Sequence, residues 1–170
     1  MTRKYLAKFR AYERSPQAPA FNHAFFSALG ALIAVSVVAL LSKKTGVPFM
    51  MAPFGATCVL AFGVQDSPLA QPRNIIGGHL IASVIGLACL HWLGTEWYSL
   101  ALGVGLPIGI MQLTRTTHPP AGATPLVIIL SGAKWSFILY PVLTGAVAIV
   151  AIALVFNNIL TTRKYPRYWR

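Results

Sequence analysis

The sequence predicts an all-α polytopic membrane protein: six passes, arranged as two inverted three-pass repeats, with the second pass of each repeat a broken, half-length helix. Three observations lead there. Of the 170 residues, 56 % are hydrophobic and only 10 % are charged, where a soluble domain carries about a quarter charged residues. Apolar runs close to bilayer-spanning length recur along the chain. A five-residue block, Pro53-Phe54-Gly55-Ala56-Thr57, returns as Pro120-Ala121-Gly122-Ala123-Thr124, with four of the five positions identical at an offset of 67 residues.

Residues 1–22 form a basic N-terminal segment. Arg3, Lys4, Lys8, Arg10 and Arg14 alternate with Tyr5, Phe9 and Tyr12 at helical spacing. This predicts an amphipathic helix over 2–14 on the cytoplasmic leaflet; a solvated basic tail satisfies the positive-inside rule equally well. Ser15-Pro16-Gln17-Ala18-Pro19 reads as a linker. The membrane domain, 23–156, opens with a span over 24–41. Lys43-Lys44-Thr45-Gly46-Val47-Pro48 ends it.

Residues 49–64 are apolar but too short to cross as one helix. Pro53 and Gly55 divide the region into an extended piece, 47–52, and a helix of about 11 residues, roughly 16 Å long. That is about half the hydrocarbon thickness. A polar turn over 65–73 follows, then spans over 75–93 and 97–113. Pro107 should kink the second of these, and Gly105 and Gly109, four apart, permit close helix approach. Residues 114–120 are extended by composition, because a residue preceding proline is pushed out of the helical region. A second short helix over 121–132, a turn at Lys134 and a last span over 135–156 complete the domain. The tail, 157–170, is basic and aromatic, as expected of a cytoplasmic interface anchor.

Counting each broken segment as a crossing gives repeat 1 over 23–93 and repeat 2 over 94–156. Three passes is an odd number, so the second copy enters the membrane upside down, the layout of many secondary transporters. Both termini then lie in the cytoplasm, with a bacterial inner (plasma) membrane as the expected location. Arg73 and Arg115 fall on the same side, and Lys43, Lys44, Glu96 and Lys134 on the other. Outside the repeated block the copies share little, chiefly Gly78 with Gly145, Ile85 with Ile152 and Leu87 with Leu154.

Proline is tolerated at a helix start because its missing N–H would be unpaired there anyway. Each Pro-x-Gly-Ala-Thr block therefore reads as a helix N-terminus inside the membrane, a place where backbone N–H groups and half a unit of positive charge favour an anion. The expected binding residues are Pro53, Gly55, Ala56, Thr57, His118, Pro120, Gly122, Ala123 and Thr124. Small residues would admit the ligand to the backbone and threonine hydroxyls would add donors; tight packing through small residues is the plainer account. His118 reads as an anion contact or a proton-coupling group, since histidine titrates near neutral pH, or else as a cap on a neighbouring backbone group. His79, after two glycines, either lines the pathway or bonds a neighbouring helix. Arg115, Lys43 and Lys44 form basic mouths that concentrate anions, or simply snorkel.

The net charge of +11, from 14 Lys and Arg against 3 acids, would suggest nucleic acid in a soluble chain. Here the basic residues flank apolar spans, so nucleic acid is not an expected partner. Cys58 and Cys89 sit in apolar segments without paired spacing, so neither a disulfide nor a metal site is expected. Glu13, Asp66 and Glu96, the only acids, lie outside the spans, and no nucleophile–base pair appears. An enzyme and a cofactor are not expected.

The run Thr117-His118-Pro119-Pro120-Ala121-Gly122-Ala123-Thr124 resembles the signature of the HPP family of integral membrane proteins, and the resemblance covers roughly 24–156. That family is usually described with four spans; the count of six treats each broken segment as a pass. Some cyanobacterial and chloroplast members are associated with nitrite transport, so the resemblance implies an anion permease. The expected function is transport of a small monovalent anion, nitrite above all, bound between two opposed half-helix N-termini. A passive anion channel and a structural or assembly subunit are the alternatives. A chain this short makes a thin wall around a pathway, which favours a homo-oligomer, a dimer through Gly105 and Gly109.

Overall fold

A computed structural model describes residues 2–47 and 49–169. Pro48 and Arg170 lie outside the described residues, as do the side chains of Arg3 and Lys4. The chain is helical, with no strand among the described residues. Among the described residues seven α-helices occur in order: α1 (Thr2–Ala7), α2 (Phe21–Thr45), α3 (Ala52–Cys58), α4 (Pro72–Leu93), α5 (Trp97–Leu113), α6 (Thr124–Ser131) and α7 (Thr144–Ile159). A π-helical turn, Val59–Gly63, extends α3, and a 3-10 turn, Pro119–Ala123, leads into α6. Among the described residues, three stretches are long and apolar enough to cross a membrane: Phe21–Thr45, Pro72–Leu93 and Trp135–Ile159. Three shorter apolar ones, Ala52–Gly63, Trp97–Leu113 and Pro119–Ser131, alternate with them.

Local chemistry accounts for these limits. Gly46 ends α2 and Gly132 ends α6 in the left-handed region, with φ of 71° and 62°, where glycine carries no Cβ penalty. The expected α-helical start at Ala121 is displaced to Thr124, with 3-10 winding before it. Pro119 and Pro120 remove two N–H groups and fix two φ angles, so the first turn winds tightly. The N-terminal helix stops at Ala7 rather than near 14, and residues 8–20 are largely irregular and exposed. Residues 5–20 are exposed, so no packing sustains a longer helix there.

An offset of 67 residues maps α2 onto α5, the Ala52–Gly63 segment onto Pro119–Ser131, and α4 onto Trp135–Ile159. The packing follows that map reciprocally. Helix α2 lies against α7, and α5 against α4; α3 meets the Pro119–Ala123 turn. Gly78 and Gly145, equivalent at this offset, do equivalent work across the two halves. A Cβ on Gly78 would stand 2.8 Å from the His118 Cβ in the second broken segment, and one on Gly145 would overlap the Phe54 ring in the first. Each half thus seats the other's broken segment on a glycine. The largest buried apolar cluster joins α2, α3, α4 and α7 through Val38, Phe54, Phe62, Ile75, Val142 and Ile149.

The tail folds back against the helices. Tyr165 is buried and its hydroxyl donates to the Ala70 carbonyl at 2.8 Å; Arg167 pairs with Asp66 at 2.6 Å. Asn158 also bonds the Tyr165 carbonyl. Burial pushes the Tyr165 phenol above its ordinary range. The buried Arg163 donates to the Phe62 carbonyl at 3.1 Å, Asn157 to Ala61 at 3.0 Å, and His23 Nε2 to Gly63 at 3.0 Å. Three consecutive carbonyls at the end of the first short helix, which the helix itself leaves unpaired, are therefore capped by side chains. A cation is the fitting cap at that end of the dipole.

Gly145→Ala should destabilise the protein by about 1–3 kcal/mol, because overpacking forces neighbouring groups to shift. Gly105→Ala, where nothing in the protomer lies within 4 Å of the added Cβ, should be neutral or mildly stabilising for the protomer itself through helix propensity. Thermal unfolding of the two variants in detergent micelles compares them directly.

Candidate functional site

The two repeated threonines meet at one histidine. Thr57, on α3, and Thr124, which begins α6, both reach the imidazole of His79 in the middle of α4. Thr57 Oγ1 is 3.0 Å from His79 Nε2, and Thr124 Oγ1 is 2.9 Å from His79 Nδ1. His118, preceding the Pro119–Ala123 turn, joins the cluster with Nε2 at 3.0 Å from Thr57 Oγ1 and Nδ1 at 2.8 Å from the Leu69 carbonyl. All four side chains have 0 % exposure. The two rings approach edge to face at 5.2 Å, and the Phe54 ring closes the other side of His79 at 5.3 Å.

The direction of every bond follows from one carbonyl. Leu69 O can only accept, so His118 Nδ1–H donates to it. A neutral His118 then accepts at Nε2, and Thr57 supplies that proton. A hydroxyl has one proton, so the contact between Thr57 and His79 runs the other way: His79 Nε2–H donates to Thr57 Oγ1. His79 Nδ1 is left as an acceptor, and Thr124 Oγ1–H donates to it. The Thr57 hydroxyl has a second acceptor within reach, the Pro53 carbonyl at 3.0 Å. The neutral cluster is thereby satisfied at each ring nitrogen, as buried polar groups require.

The remaining candidates divide by position. Pro53, Ala56, Pro120 and Ala123 line an open apolar groove of about 520 Å³ between the two short segments. Gly55 is exposed and Gly122 half-buried; nothing lies within 4 Å of a Cβ built on either. The threonine hydroxyls do not face the groove as free donors, because the histidines consume them. Lys43 and Lys44 are exposed in the last turn of α2, and Arg115 is exposed beyond α5 with a φ of 55°. None of these three cations joins the histidine cluster. Arg163, Asn157 and His23, which cap the first short helix, were not singled out by sequence. Their only signal was polarity within or next to apolar helices.

His118-Pro119-Pro120 is thus a working unit: the histidine bonds back to the Leu69 turn while the prolines set the break in the helix. Residues 16–166 match the family described as HPP, transmembrane region. The chain belongs to this family. Two relatives of the HPP chain, both from Dictyostelium discoideum, are named only as transmembrane proteins. One is 34 % identical over 178 residues, covering 98 % of this chain and 57 % of the relative. The other is 35 % identical over 169 residues, covering 92 % and 59 %. The HPP chain thus spans less than two thirds of the length of either relative. Family membership carries no bacterial address, since these relatives are from Dictyostelium. No solved structure matches.

The bond directions are testable. Nitrogen-15 spectra of labelled protein should show His118 protonated at Nδ1 and His79 protonated at Nε2 at neutral pH. The opposite tautomer at His118 would contradict the assignment from Leu69.

Proposed function

We propose that this HPP-family membrane protein transports a small monovalent anion, with nitrite the favoured cargo. The observation that carries the reading is the convergence of both Pro-x-Gly-Ala-Thr blocks on His79. Two interrupted apolar segments, one from each half of the chain, form a single centre, and discontinuous helices are where transporters hold their substrates. Irregular backbone within a membrane is tolerated only where it is buried in protein or lines a wet cavity. The groove beside Pro53, Ala56, Pro120 and Ala123 lies between the starts of the two short segments, where a bound ion would stand next to both breaks. The resemblance to members associated with nitrite transport sets the choice of anion.

The same reading arranges the chain as six passes in two inverted repeats. The reciprocal seating of Gly78 and Gly145 supports the pairing of the halves. Gly105 and Gly109, exposed on α5 with open space above them, are the proposed face of a homodimer.

Purified protein in liposomes should admit nitrite faster than protein-free vesicles and with saturation, when nitrite, nitrate, chloride and formate are compared. Gly122→Leu should abolish entry while the protein still inserts and folds, because nothing lies within 4 Å of an added Cβ and the bulk falls inside the second repeated block, between Ala121 and Ala123. Flux of none of the four anions would favour an assembly subunit.

A further inference from the structure

We infer that His118 and His79, bridged by the Thr57 hydroxyl, form a buried proton-binding pair that loads one proton together with each anion. The inference rests on the transport reading above and supplies its coupling ion.

The evidence is the way the cluster can absorb a proton. In the neutral state Thr57 donates to His118 Nε2. Let a proton arrive at that nitrogen. His118 then donates at both positions, to the Leu69 carbonyl and to Thr57 Oγ1. Thr57 now receives from both histidines, one on each lone pair. Its own proton must turn elsewhere, and the Pro53 carbonyl stands at 3.0 Å to receive it. One hydroxyl rotation therefore converts a fully bonded neutral cluster into a fully bonded protonated one. No covalent bond is made or broken apart from N–H, and release of the proton reverses the rotation. Back-bonding to the i−4 carbonyl is common for a helical threonine. Here the same oxygen also touches two imidazoles, so the bond has a second use. A histidine serving only as a cap needs no such alternative partner.

Charge supplies the coupling. A protonated His118 would be a buried cation, which is costly without a counter-charge. The charged and titratable groups of the surrounding elements are Cys58 on α3, Arg73 and His79 on α4 with Cys89 and His91 near that helix's far end, Tyr98 in the first turn of α5 and Arg115 beyond it, Asp66 beside the Leu69 turn and Tyr165 of the tail. Arg73 donates to the Thr114 carbonyl, Asp66 is paired with Arg167, and Tyr165 donates to Ala70. Arg115 is exposed and Cys58 is a free, buried cysteine. Among the described residues, no carboxylate contacts either histidine. The groove between Pro53 and Pro120 borders the backbone that carries Thr57 and His118. An anion there is the available counter-charge, so anion and proton stabilise each other and cross together without net charge.

The test measures proton uptake and anion movement on the same preparations. Nitrite is added to detergent-solubilised protein in weakly buffered medium while external pH is followed. Reconstituted vesicles are then assayed for nitrite entry under an imposed pH gradient or an imposed potential, with protein-free vesicles subtracting diffusion of nitrous acid. Wild type should take up about one proton per nitrite bound, and entry should follow the pH gradient rather than the potential. His118→Gln and Thr57→Val should lose the proton uptake, and any remaining entry should follow the potential. Thr57→Ser, which keeps the hydroxyl, should retain coupling, and melting temperature confirms that each variant folds. Proton uptake that persists in both His118→Gln and Thr57→Val overturns the inference. Nitrite entry by wild type without proton uptake also overturns it and leaves the transport reading standing. Absence of both nitrite binding and nitrite entry in wild type defeats the transport reading and the inference together.

Discussion

The hydrogen bonds around His79 are the constraint on which the rest of the structure depends. An imidazole in the middle of an apolar helix has two nitrogens that must both find partners where water is scarce. Thr57 satisfies one and Thr124 the other, and each threonine ends its own copy of the repeated block. The two short segments can serve one ring only if both stop near the same depth. That requirement explains why each is interrupted by proline and glycine rather than continued as a full span. It also explains the glycines at 78 and 145, which let the broken segments lie directly on α4 and α7.

The pseudo-symmetry is incomplete in an instructive way. At the 67-residue offset His79 corresponds to Ala146 and His118 to Met51, both buried and apolar. The backbone plan is duplicated, while the titratable groups belong to one side only. The repeated block and its glycine seats recur at that offset, and the two histidines do not. Capping differs in the same sense. The first short helix ends on carbonyls held by His23, Asn157 and Arg163, whereas the second ends in a left-handed glycine at 132. The first short helix is consequently tied to the chain's tail, and the Leu69 turn, which orients His118, is tied there too through Tyr165 and Arg167.

Much of this was legible in the sequence. Apolar length marked the long spans, and Pro/Gly punctuation marked both interruptions to within a few residues. Duplication of five residues located the centre of the molecule. What could not be read were the partners. Residues 57, 79, 118 and 124 have no local pattern that brings them together, and the threonines looked like free ligand donors until the histidines occupied them. The tail looked like an interface anchor because basic and aromatic residues are what such anchors contain; its docking depends on carbonyls at 61, 62 and 70, which no side-chain pattern announces. The overlong N-terminal helix came from reading periodicity without a surface to pack against.

The claim at the centre is that two copies of one motif enter the membrane from opposite sides and share one histidine. Sided labelling tests it most directly. Val64 and Ser131 are equivalent at the 67-residue offset, lie at the far ends of the two short helices and are exposed, and the native Cys58 and Cys89 are buried. Single cysteines at 64 and 131 should react with a membrane-impermeant maleimide from opposite faces of oriented vesicles. Labelling of both from the same face would contradict the account.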